Sequence, residues 1–166
     1  MSTPTDDATL SLNKALGKIT SGLYILTAID DETTKPIVVL VSWVQQAAFA
    51  PPSVSVAVTK DRAGRAAIER SKKFALAVVP QDDLSLMKKY VRGVKPDADP
   101  FEGLTVITTP GGLPVPANAL AWLECSLASV CDFGADHDLL LASVNAGAVL
   151  REGNGYAHQR NSGMKY

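Results

Sequence analysis

The double proline Pro51-Pro52 separates two apolar runs, residues 37–41 and 53–58, and this break constrains the fold more than any other feature. Proline lacks an amide hydrogen for a sheet ladder, so neither run can continue through it. Between the runs lies Ser42-Trp43-Val44-Gln45-Gln46-Ala47-Ala48-Phe49-Ala50. The pattern predicts a strand over 37–44 that leaves the core, a segment that exposes a hydroxyl, an indole and two adjacent amides, and a strand over 53–58 that re-enters it. Backbone groups and Gln side chains offer both donors and acceptors to a flat ligand. A bulged loop with half-buried aromatics is the alternative that these residues alone leave open.

Apolar spacing continues the reading along the chain. Leu12, Ala15, Leu16 and Ile19 recur at helical intervals, so an amphipathic helix is expected over 9–18, after a frayed tail over 1–8. Strands are expected over 23–28, 74–79 and 104–109, and helices over 63–71, capped by Asp61, and over 81–91. Pro110, Gly111, Gly112, Pro114 and Pro116 mark a turn. Two long extended segments, 120–131 and 137–150, surround Gly134 and read as a hairpin. Helices do not alternate with strands, which disfavours a doubly wound parallel sheet. The expectation is a mainly β chain with inserted helices: an antiparallel split β-barrel forming a single domain over 9–166.

With 166 residues, 46% of them hydrophobic and 20% charged, the chain can bury a sizeable core. A net charge of -1 gives no general attraction to nucleic acid or anionic membrane. No apolar run approaches the ~20 residues of a membrane span. The polar, acidic start is no signal peptide, so a cytoplasmic protein is expected. Cys125 and Cys131, six residues apart on one strand, would stand roughly 20 Å apart. That is too far for a disulfide, so two buried thiols are expected. No Cys or His spacing suggests a metal site.

Phosphate-cradling loops and nucleophile elbows are absent, and His137 and His158 are the only histidines. Difficult chemistry would therefore fall to a cofactor. Thr59-Lys60-Asp61-Arg62-Ala63-Gly64-Arg65 brings a hydroxyl, several cations and a helix start together, as a phosphate seat would. A solvated basic turn is the alternative. Lys88-Lys89-Tyr90 could add charge or form a solvated helix face. The tail from His158 to Tyr166 is polar and, by local rules, frayed.

Together, in order, several segments resemble one family. They are Ala15-Leu16-Gly17-Lys18-Ile19 with Ser21 to Ala28; Val41 to Gln46; Phe49-Ala50-Pro51-Pro52 with Val56-Ala57-Val58 and Lys60-Asp61-Arg62; Leu86-Met87-Lys88; Asp99-Pro100-Phe101-Glu102-Gly103; Leu120 to Cys125; Asp136-His137; and His158-Gln159-Arg160 with Tyr166. The chain resembles the flavin reductase-like, FMN-binding split-barrel family. It is most similar to the flavin-reductase module at the C-terminus of oxygen-reducing diiron flavoproteins.

The resemblance implies that Ser42, Trp43, Val44, Gln45, Gln46 and Ala48 contact the isoalloxazine and ribityl groups. It further implies that Thr59, Lys60, Arg62 and Ala63, aided by Lys88, hold the phosphate. His137 would orient the nicotinamide, and Arg160 and Tyr166 would close over the site or meet a dimer partner. FMN is the implied cofactor, with FAD or riboflavin as alternatives and NAD(P)H as co-substrate. A homodimer is implied, as is an electron acceptor protein or domain of the diiron flavoprotein type. Two features depart from the family pattern: Pro36-Ile37-Val38-Val39 stands where many relatives carry glycine, and Gln45-Gln46 where many carry small hydroxyl residues. The expected function is NAD(P)H-dependent flavin reduction. A non-catalytic FMN electron-transfer module is the second reading, and a pyridoxal-phosphate oxidase-like enzyme a weaker third.

Overall fold

The computed structural model describes residues 4–95 and 97–161. Helix α1 (Pro4–Leu16) precedes strands β1 (Tyr24–Ile29), β2 (Pro36–Val41), β3 (Val44–Phe49) and β4 (Pro52–Thr59). Helix α2 (Ala63–Ser71), strand β5 (Lys73–Val78) and helix α3 (Ser85–Tyr90) follow. A small ribbon of β6 (Val106–Thr108) and β7 (Pro114–Pro116) leads into the long strands β8 (Ala121–Cys131) and β9 (His137–Val149). Seven strands form one sheet in the order β2-β1-β5-β8-β9-β4-β3, and every pairing is antiparallel. No ladder joins β2 to β3 among the described residues, so the sheet is split along that seam.

Burial explains the two kinds of strand pattern. β4 alternates, and Val54, Val56 and Val58 point into one core. β1 and β5 are covered on both faces, so their apolar runs are nearly continuous. In β5, Phe74 and Leu76 join the core under α2, while Ala75 and Ala77 join a second core with Leu86, Tyr90 and Val115. The C-terminal segment is tied back: Ser21 and His158 exchange backbone hydrogen bonds of 2.9 and 2.6 Å, and the Arg160 amide donates to the Gly17 carbonyl at 3.2 Å.

Several sequence expectations change in detail. α1 begins at Pro4, so residues 4–8 of the expected frayed tail are helical; proline is favoured in a first helical turn. Residues 44–49 form a strand of their own, not a loop, because they pair with β4 across a bulge between Gln46 and Ala48. Residue 62 caps α2 without a side-chain bond, so Asp61 is not its cap. α3 is shorter than 81–91, and part of the expected 110–116 turn is β7. Cys125 is buried as expected, but Cys131 is exposed at the end of β8.

Candidate functional site

Four predicted residues converge where β2 hands over to β3. Ser42, 1% exposed, accepts a 3.2 Å hydrogen bond from Arg160 Nη2. The Arg160 guanidinium lies 4.4 Å from the centroid of the Trp43 ring, a cation–π contact worth about 0.5–1 kcal/mol at a site of this exposure. The other neighbour of that ring is His137, with centroids 4.8 Å apart and planes tilted by 47°. The sheet register supplies the link: His137 opens β9 directly opposite Thr59, the last residue of β4. The Ala57 amide donates to the Trp43 carbonyl at 2.9 Å, which fixes the Ser42-Trp43 corner against β4.

His137 Nδ1 lies 2.9 Å from Asp136 Oδ1. That hydrogen bond holds the Asp136 carboxyl below its usual range, so at neutral pH the carboxylate only accepts. Nδ1 therefore carries the hydrogen of that bond, which fixes the orientation of the ring. Gln45 and Gln46 are exposed on β3, and Val44 is buried beneath them. Ala48, past the bulge, is half-buried.

The turn after β4 divides its cations. Lys60 Nζ sits 2.7 Å from Asp132 and 3.7 Å from Asp138, and the Asp132 bond raises the Lys60 ammonium above its usual range. Asp138, 1% exposed, also accepts from Arg65 Nε at 2.7 Å, and Arg65 bonds Glu69 one turn on. Arg62 points the other way, and its Nη1 donates to the Leu40 carbonyl at 3.1 Å. Thr59 Oγ1 is buried with no hydrogen-bond partner among the described residues. A ring platform, an edge strand with free amides, an orphaned hydroxyl and Arg62 fit a flat ligand with an anionic tail.

Ser42, Trp43, Thr59, Lys60, His137 and Arg160 are thus neighbours. Lys88 stands apart, exposed on α3 and in no ion pair among the described residues. The backbone places Ala63 at the first position of α2. Tyr166 lies outside the described residues. Sequence reasoning missed the two carboxylates that engage Lys60. It also missed a cleft of about 960 Å³ between β2 and the segment 90–100, with Arg62 in its wall. Among the described residues, no three His, Cys, Asp or Glu gather as metal ligands would, and no helix is long and apolar enough to cross a membrane.

The family described as "Flavin reductase like domain" matches residues 16–164. Diflavin flavoprotein A 1 of Synechocystis sp. is 38% identical over 157 residues, which cover 93% of this chain and 27% of the relative. The chain thus spans about a quarter of the length of the curated relatives it matches. Among solved structures, a nitrilotriacetate monooxygenase component B homologue from Mycobacterium thermoresistibile superposes with a TM-score of 0.79 at 21% identity, over 95% of this chain and 84% of that one. The NADH:FAD oxidoreductase of Streptomyces globisporus C-1027, solved with NAD and FAD fragments, gives 0.78 at 20% identity, over 96% and 92%. At these identities the structural likeness establishes the split-barrel fold.

Proposed function

Because this chain belongs to the flavin reductase-like domain family, we propose that it works as an NAD(P)H-dependent flavin reductase with FMN as its preferred flavin. The observation that carries the reading is the convergence of Ser42, Trp43, His137 and Arg160 beside the orphaned hydroxyl of Thr59. When bound, the flavin supplies the redox chemistry, taking a hydride from a nicotinamide and passing electrons on.

The chain's own residues position and polarise. The β3 edge and the exposed Gln45 and Gln46 amides would offer donors and acceptors to the flavin, and the half-exposed Trp43 would give it apolar cover. Arg160 sets a fixed positive charge beside Ser42, where it favours negative charge developing on a neighbouring ring edge. His137 offers Nε2 at the mouth, oriented through Asp136. Arg62 would meet the phosphate at the start of α2, with Ala63 giving a backbone amide and Lys60 adding charge at longer range. Electrons would leave to a partner domain, consistent with relatives in which this region is one part of a longer chain.

A homodimer is proposed on the apolar residues left uncovered on and after α1: Leu10, Leu12, Leu16 and Ile19 are 41–67% exposed. The absorption spectrum of the purified protein with FMN, followed by steady-state NAD(P)H oxidation, tests the enzymatic reading. Flavin binding with turnover is expected. Full flavin loading with neither NADH nor NADPH oxidised would overturn the enzyme and leave an electron-transfer module.

A further inference from the structure

The cations of the turn after β4 are held by carboxylates of the β8–β9 hairpin. Asp138 is the buried one, 1% exposed. The sheet register sets it opposite Val58, one residue along β9 from His137 of the ring cluster. A carboxylate withdrawn from water is costly unless cations and hydrogen bonds satisfy both of its oxygens. Arg65 Nε satisfies Oδ2 at 2.7 Å. Oδ1 has no hydrogen-bond partner among the described residues, and the Lys60 ammonium faces it at 3.7 Å. Lys60 is shared: Asp132, on the hairpin turn, takes the same ammonium at 2.7 Å. Asp132 Oδ1 also accepts the Gly134 amide at 2.8 Å, and the Asp136 carbonyl accepts the Lys60 amide at 3.1 Å. The end of the hairpin thus holds Lys60 by backbone and side chain alike.

Arg65 is occupied as fully, because it bonds Glu69 as well as Asp138. Lys60 and Arg65 therefore face three carboxylates, Glu69, Asp132 and Asp138. The excess is negative, the wrong sign for an arriving phosphate. Arg62 differs, since its bond goes to the neutral Leu40 carbonyl. A phosphate can gain Lys60 only by drawing it away from Asp132. Asp138 opposes that move, because its Oδ1 would lose the ammonium that faces it.

We propose that Asp132 and Asp138 limit how strongly this chain selects a phosphorylated flavin over riboflavin, by holding Lys60 back from the phosphate. The inference rests on the flavin-reductase reading. The two carboxylates act through Lys60 and are positioning residues; Arg62 supplies the selection that remains. The test measures FMN and riboflavin affinities of the full chain, D132N, D138N and D132N/K60A by fluorescence titration. Asp132 is 61% exposed and an asparagine there can still accept from Gly134, so D132N decides the matter where D138N does not fold. Each single variant should tighten FMN about fivefold or more with riboflavin changed by less than about twofold, and adding K60A to D132N should abolish the gain. Carboxylates that only support the fold could weaken binding but could not tighten one flavin alone. FMN affinity unchanged or weakened in a folded D132N or D138N would overturn the proposal. So would a gain shared equally by riboflavin, or one that persists in D132N/K60A. Neither flavin binding to the unaltered chain or to any variant would overturn the reductase reading and this proposal with it, whereas FMN bound equally by all four proteins would overturn the proposal alone.

Discussion

Lys60 and Arg62 are two residues apart and point to different fates. Lys60 faces Asp132 and Asp138, and Arg62 is hydrogen-bonded to a carbonyl, which is a weaker claim on its charge. A phosphate arriving at this turn competes with two carboxylates for Lys60 and with one neutral acceptor for Arg62. Arg62 should therefore dominate. Arg62→Ala is expected to weaken FMN tenfold or more and riboflavin much less, as measured by fluorescence titration, since a charge-assisted contact contributes about 1.5–3 kcal/mol. Lys60→Ala should cost less than Arg62→Ala, and equal losses for FMN and riboflavin in R62A would separate Arg62 from the phosphate. The sequence places both cations at a helix start. It cannot show which is free, because the carboxylate bonded to Lys60 lies 72 residues further on.

At the scale of the element, β8 separates two thiols by environment. Burial, with Glu124 beside it, pushes the Cys125 thiol up to about 12, whereas Cys131 is exposed where the strand ends. One thiol per chain should react with a thiol reagent at pH 8 under native conditions, and two after denaturation; two fast-reacting thiols in the native protein would contradict this burial. Strand identity was largely legible because β4 alternates and β1 and β5 are covered on both faces, which leaves clear signals. β3 was harder to read. Its Gln-Gln-Ala-Ala core has low strand preference, and pairing with β4 overrides it. The start of α1 was misjudged for a related reason: polar residues 4–8 look like a tail, yet Pro4 suits a first turn.

At the scale of the whole molecule, the cleft was illegible because it arises from two segments, 33–40 and 90–100, neither of which carries a motif. The return of the C-terminal segment was likewise hidden, since local composition argued for fraying. That return has a pH signature. Burial, reinforced by the Arg160 charge, lowers the His158 pKa below the usual histidine value. The unfolded chain then takes up this proton first, so the contribution is whole above about pH 6.5 and is lost as pH falls toward the folded-state value. Tm should drop between about pH 6.5 and 5. His158→Gln should flatten that slope while keeping the backbone bonds to Ser21, and an unchanged slope would remove His158 as its source.

Ser42 and Arg160 are separated by 118 residues, yet they touch. During synthesis, Ser42 and Trp43 leave the ribosome long before the guanidinium that covers them exists. β9, which carries His137, must likewise pair with β4, a strand made long before it. A nascent chain stalled before residue 160 would hold the ring platform open, its indole facing water. The Ser42–Arg160 contact is therefore acquired late, and any fragment ending short of Arg160 would carry most of the sheet without it.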